Sequence, residues 1–185
     1  MGTSQHQLQI GEMAPVTEST EVEHWYALQT RAKHERVVKD RLDERGVVTF
    51  LPMVTEIRRW SDRKKKLELP LFSCYLFARL APTRLNRLRM LSVQGVFSFV
   101  GTRGEGLPIP NEQIEAVQAL VQQQLPYSSY PFLKTGQRVR VCSGSLKGLE
   151  GILLSHDGDS TLVISVDAIQ RSLAVRVDGY EVEAA

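Results

Sequence analysis

The apolar positions of this chain change their spacing several times, and each change marks an element. Trp25, Tyr26, Ala27 and Leu28 open the ordered part as a short strand. Val37, Val38 and Leu42 then share one face of a helix over 31–45, which Gly46 ends. On that helix Glu35/Lys39 has an attractive i,i+4 spacing and Arg41/Arg45 a repulsive one. A strand over 47–51 follows, then an irregular hairpin over 53–69 with a basic tip, then an apolar, aromatic strand over 71–80. Pro82 opens a short helix in which Leu85, Leu88 and Leu91 recur every third residue, and 96–100 is another strand. Asn111 suits the N-cap of a helix whose stripe is Ile114, Val117, Leu120, Val121 and Leu125.

From residue 122 to 134 the pattern stops. Two prolines, two serines and no hydrophobic period predict a linker, taken as 124–134. Five short strands follow, at 137–142, 149–155, 161–166, 172–178 and 180–183, with Gly158 and Gly179 at turns. That spacing predicts a small antiparallel barrel over 135–185. Residues 1–23 lack periodicity and aromatics and read as a disordered leader, which leaves 24–123 as the first folded domain. The fold class is therefore α+β: an antiparallel sheet flanked by helices, a flexible linker and a C-terminal SH3-like barrel.

Charge sharpens the division. The net formal charge is +2 over 185 residues, but residues 1–23 carry −4 with no Lys or Arg. Residues 24–125 hold 17 basic against 10 acidic residues, and 126–185 hold 6 against 7. A modest electrostatic footprint for a polyanion thus sits in the first domain. Arg58, Arg59, Arg63, Lys64, Lys65 and Lys66 put six cations into nine residues, with Trp60 interleaved as a stacking plane. Such a tip contacts phosphates without reading sequence. Arg31, Lys33, His34 and Arg36 add a polar helix side able to meet base edges or phosphates.

Cys74 and Cys142 lie far apart in strand-like runs and read as buried, reduced thiols of a cytosolic protein. No apolar run approaches the roughly 18 residues that cross a bilayer. His6, His24, His34 and His156 do not pair at metal spacing, and neither a phosphate-cradling GxxxxGK[ST] nor a GxSxG occurs. Nothing argues for an enzyme, a metal or a cofactor.

The order Val139, Val141, Gly144, Leu146, Gly148, Glu150, Gly151 within 136–154 resembles the KOW motif of ribosomal proteins and of NusG-family transcription factors. WYALQTRAKHE at 25–35, LFSCYLFARL at 71–80, and GVFSFVG at 95–101 followed by PIP at 108–110 resemble successive parts of the NusG N-terminal domain. Four such pieces in order, joined by a linker, make the resemblance cover roughly 24–185.

The resemblance implies a two-domain, non-enzymatic elongation factor. Its N-terminal domain would dock on the clamp helices of the largest RNA polymerase subunit and suppress pausing or termination. Phe72, Tyr75 and Phe77 match the clamp-contact strand; Tyr75 and Phe77 share one face by the period of two, with Phe72 on the other. Ser73 and Cys74 stand where most relatives carry Pro followed by Gly or Asn. Asn86 and Arg87 align with the part facing the polymerase gate loop, and the basic residues above would meet non-template or upstream DNA. Leu146, Ile169 and Arg171 are the partner-surface candidates of the KOW domain, for which the ribosomal protein NusE is a candidate partner. Leu146 replaces the Phe usual in housekeeping members, which weakens Rho as a partner. SLKGLEG followed by VDAIQRSLAV looks more like the specialised UpxY-type branch, whose members act on particular operons. Housekeeping NusG, coupled to Rho and the ribosome, is the alternative, as is a KOW-type module bound to RNA or the ribosome. Monomer is the family default, and no membrane partner is implied. Strand-rich composition predicts a barrel, rather than a helical hairpin, over 161–176.

Overall fold

A computed structural model describes residues 22–59, 64–124, 127–130, 136–156, 159–177, 180 and 182–185. The leader reading for 1–23 therefore falls almost wholly outside the described residues. In chain order the elements are β1 (His24–Thr30), α1 (Glu35–Asp43), β2 (Val48–Phe50), β3 (Met53–Arg59), β4 (Lys64–Pro70), β5 (Tyr75–Leu80), α2 (Arg84–Leu91) and β6 (Val96–Phe99). They continue as α3 (Asn111–Gln122), β7 (Tyr127–Tyr130), β8 (Gln137–Val141), β9 (Glu150–His156), β10 (Asp159–Val166), β11 (Arg171–Arg176) and β12 (Val182–Ala184). The fold is α+β with antiparallel sheets.

The N-terminal sheet has the order β2-β5-β1-β6, with β5 and β1 central. Alternation along β1 sorts its side chains between two cores. Tyr26 and Leu28 join Val38 and Leu42 of α1, Leu76, Ala78 and Leu80 of β5, Met90 of α2 and Phe99. Trp25 and Ala27 join Phe77 on the opposite face. There α3 lays down Ile114, Ala116, Val117 and Leu120, all buried. Strands β3 and β4 form the separate hairpin expected at 53–69.

Two helix starts differ from expectation. Helix α1 begins at Glu35 rather than 31, because Lys33 takes a left-handed φ of 63° and the His34 N–H returns to the Arg31 carbonyl at 3.0 Å. Asn111 is the first residue of α3, and Pro110 occupies the cap position without a side-chain bond. The end of α1 is as read: Gly46 sits at φ 75°, and the Val47 N–H bonds the Leu42 carbonyl at 3.1 Å.

The C-terminal sheet, consistent with a KOW or SH3-like domain, has the order β12-β8-β9-β10-β11-β7. All five expected strands are present. The sixth, β7, comes from the stretch read as linker: Tyr127 pairs with Val175 and Tyr130 with Ser172. YSSY carries no apolar alternation; ladder hydrogen bonds to β11 hold it at the edge. Only residues 123–126 then separate α3 from this sheet.

Gly151 is demanded by proximity. A Cβ there would lie 2.5 Å from the Val163 carbonyl oxygen and 3.0 Å from Leu162 Cγ, so β9 crosses β10 too closely for any side chain. No helix among the described residues is long and apolar enough to cross a membrane. Among the described residues no group of His, Cys, Asp and Glu gathers as a metal site would.

Candidate docking face

The aromatic cluster on β5 is built around Phe77, which is fully buried. Phe50 of β2 stacks on it, with ring centroids 6.0 Å apart and planes at 25°. Phe72 meets it edge-on at 6.1 Å and 86°. Each geometry is a favourable one for aromatic quadrupoles.

Phe72 therefore lies with Phe77, not on the opposite face. The strand does not begin until Tyr75; residues 71–74 form a turn, so the period of two cannot be carried back to Phe72. The turn is held by two features. Cys74 adopts φ 68°, a left-handed conformation more natural to Gly or Asn, and its N–H donates to Glu35 Oε1 at 2.8 Å. Glu35 is buried to 4% exposure at the start of α1 and points inward to that amide. It does not make the expected pair with Lys39, which bridges to Asp43 instead. Thr30 returns from the other side, its N–H bonding the Cys74 carbonyl at 2.9 Å.

Tyr75 is half-buried and packs at the rim of this cluster. With Leu71, Phe72 and Ser73 it lines a cleft of about 250 Å³ whose far wall is Arg171, Ser172 and Leu173 of β11. The C-terminal sheet thus covers the face that carries the docking candidates. One continuous apolar cluster runs from Trp25, Phe72 and Phe77 through α3 to Val139, Leu146, Leu149, Leu162, Ile164, Ile169 and Leu173. Leu146 and Ile169, expected at a partner surface, are 2% and 5% exposed within it. Their short 3₁₀ turns, Gly144–Leu146 and Asp167–Ile169, fold the side chains inward, and only Arg171 of that set is exposed.

A polar contact crosses the same boundary. Gln113 Nε2 donates to Asp167 Oδ2 at 2.9 Å, and the Asp167 N–H donates to Gln113 Oε1 at 3.0 Å. No motif points to either residue: both are single polar side chains, 54 positions apart in sequence. Cavities of about 320 and 470 Å³ also lie between α3 and the C-terminal sheet, lined on both sides by Glu112, Ala116 and Glu150 among others. Both are open to solvent, so they are grooves along the boundary.

The gate-loop candidates are tied into their own domain. Asn86 Nδ2 donates to the Ala81 carbonyl at 3.1 Å. Arg87 Nη2 donates to the Gly104 carbonyl at 2.7 Å, and its guanidinium lies 5.8 Å from the Phe99 ring centroid.

Of the cationic candidates, Arg31 and Lys33 are exposed on the turn before α1 and His34 is half-buried beside them. His34 Nδ1 lies 3.0 Å from the Ala32 carbonyl oxygen. Arg36 bridges to Glu68 of β4 at 2.7 Å. Strand pairing sets Arg58 opposite Lys65 and Arg59 opposite Lys64, which brings their backbones together at the hairpin's end, and Lys66 is exposed. Trp60 and Arg63 lie outside the described residues. The turn and the hairpin border a cavity of about 660 Å³ lined by Lys33, Arg36, Glu56 and Tyr127. Burial first, then the nearby Glu56 carboxylate, pushes the Tyr127 hydroxyl above its usual pKa.

The family model described as transcription termination factor nusG matches residues 23–118. The transcription termination/antitermination protein NusG of Lactococcus lactis is 27% identical over 170 residues, covering 86% of this chain and 91% of its own. The protein of the same description from Borreliella burgdorferi is 27% identical over 181 residues, covering 86% and 97%. A solved structure described as domain interaction in Thermotoga maritima NusG aligns with a TM-score of 0.48 at 21% identity, covering 88% of this chain and 97% of that one.

Proposed function

The chain belongs to the NusG family, and on that premise we propose that it is an elongation and antitermination factor whose polymerase-docking face is held under its own C-terminal sheet. The relatives named above are transcription termination/antitermination proteins. The observation that carries the reading is the cluster around Phe77. Its apolar face continues into the C-terminal sheet and is closed by β11 across a boundary that holds, among the described residues, three open clefts and the Gln113–Asp167 contact.

In this reading Tyr75 and Phe72 form the rim that meets the clamp helices of the largest polymerase subunit once the C-terminal sheet moves aside. Phe77 supports them from below. Arg31, Lys33 and His34, with the cations of the β3–β4 hairpin, lie ready for non-template or upstream DNA and act through phosphates. The mechanism is a population shift: the factor binds the active polymerase better than the paused one and favours it by that difference. Polymerase likewise favours the form of the factor in which the face is open. Released, the C-terminal sheet is free to recruit a second partner such as NusE, and the SLKGLEG and VDAIQRSLAV segments favour an operon-specific role.

Capture of core RNA polymerase by the purified full chain tests this. Wild type is run beside Tyr75→Ala and Gln113→Ala, with circular dichroism to verify folding. Tyr75→Ala should capture less polymerase and Gln113→Ala more. Equal capture by wild type and Tyr75→Ala would remove the docking assignment, and no capture by any of the three would remove the polymerase reading.

A further inference from the structure

Helix α2 turns its apolar side to solvent. Only Met90 is fully buried, while the half-buried Asn86 and Arg87 occupy the inward side. Leu85, Leu88 and Leu91, which recur every third residue, are 68%, 56% and 42% exposed. Beside α2 runs β6, the edge strand of the N-terminal sheet. Its Phe97 is 61% exposed and stands at the register shift of β6 against β1, while Phe99 packs in the same core as Met90. The three leucines make one ridge along α2. Singly exposed apolar residues are ordinary, but a grouped set marks an interaction site.

The charge around the ridge has one sign. Helix α2 carries Arg84, Arg87 and Arg89 and no acidic residue. Two more arginines, Arg41 of α1 and Arg45 just after its end, reach the same surface. Arg45 Nη1 donates to the Arg89 carbonyl at 3.0 Å and to Ser92 Oγ at 2.9 Å, and Arg89 Nη2 donates to the Arg45 carbonyl at 3.2 Å. Arg41 Nη1 donates to the Gln94 carbonyl at 2.9 Å. Among the described residues, none of these five guanidinium groups forms an ion pair with a carboxylate. Arg84 stands in the first turn of α2, where the helix dipole disfavours a cation. Exposed leucines beside cations that lack a carboxylate partner among the described residues suit one kind of partner.

We propose that the α2 ridge docks an acidic amphipathic helix of a partner protein. Leucines at three-residue spacing form a ridge of the kind that packs into the groove of another helix. Carboxylates flanking the partner's apolar stripe would answer Arg84, Arg89 and Arg45. A nucleic acid would use the cations and leave the leucines wet, and a second copy of this chain would set arginine against arginine. The inference stands apart from the face under the C-terminal sheet, which lies on the opposite side of the β5 strand from Met90.

The test uses the full chain and a fluorescein-labelled synthetic helix of about 18 residues, with leucines on one stripe and glutamates elsewhere. Fluorescence polarisation should show saturable binding that weakens roughly tenfold or more, about 1.4 kcal/mol, in R84E/R89E and separately in L85S/L88S. A peptide with every glutamate replaced by lysine should not bind. Unchanged binding in either variant, or equal binding of the lysine peptide, would overturn the proposal. So would a large gain in affinity on deleting residues 1–21, which carry Glu12, Glu18 and Glu21 with no Lys or Arg. That gain would assign the ridge to this chain's own N-terminal segment. All four positions are exposed, and the charge and apolar pairs are independent, so a folding defect in one leaves the other to decide.

Discussion

Gln113 on α3 and Asp167 after β10 exchange two hydrogen bonds, at 2.9 and 3.0 Å, across the boundary between the N-terminal domain and the C-terminal sheet. The two bonds are unequal under mutation, because one is accepted by the Asp167 side chain and the other donated by its backbone. Gln113→Ala removes both, whereas Asp167→Ala removes one. A net bond of this kind contributes about 1 kcal/mol, a factor of about five in the docked population. Relaxation-derived rotational correlation times of the two domains should separate more in Gln113→Ala than in Asp167→Ala. Equal and unchanged values in both variants would show that the latch does not hold the sheet.

Phe77 and Tyr75 should behave differently although both lie on β5 beside the same cluster. Phe77 is fully buried between Phe50 and Phe72, so Phe77→Ala leaves a cavity and should cost about 3–5 kcal/mol of stability. Tyr75→Ala, at the rim, should cost well under half of that. Chemical denaturation of the two variants side by side reads the difference; similar losses would place Tyr75 in the core.

Gly151→Ala should destabilise the C-terminal sheet by about 1–3 kcal/mol, since the added methyl meets the Val163 carbonyl and backbone must shift. Amide exchange over β9 and β10 should accelerate while β1 and β5 stay protected. Uniform acceleration would instead show that the two domains unfold as one unit.

Asp43 offers a pH test. Burial alone would raise its carboxyl, but hydrogen bonds from Lys39 and Thr49 and the Lys39 charge outweigh burial and hold it below its ordinary value. A depressed folded-state pKa contributes stability that is present above the unfolded value of about 4 and is lost as pH falls through the folded value. Asp43→Asn should therefore melt lower than wild type at pH 7, with the gap closing below about pH 4. The site is partly exposed, so the gap should not exceed about 1 kcal/mol. A gap that does not change with pH would rule out the carboxylate as its source.

Much of the architecture was legible because local pattern and tertiary fold agree. The alternation of β8 to β11 and the α3 stripe from Ile114 to Leu120 each match a buried face, Leu125 lying outside the described residues, and Gly46 and Gly151 stand where backbone geometry demands glycine. Failures came where a distant group set the local conformation. The Glu35 carboxylate holds the Cys74 amide and so fixes the turn that moves Phe72 to the Phe77 side. Residues 127–130 became a strand because β11 offered an edge.

The spacing of apolar residues determined the number, kind and order of the elements, since burying a strand or helix requires that periodicity wherever the partner comes from. The sequence also shows its cations gathered in residues 24–125 and the KOW-like pattern in 136–154. Only the tertiary structure decided which apolar faces are spent. Leu146 and Ile169 are core rather than surface because their 3₁₀ turns fold them into the apolar cluster, and Leu85 and Leu88 are surface because α2 presents Met90 inward. Periodicity encodes that a face is apolar; what covers it depends on contacts between residues far apart in the chain, which no local pattern carries.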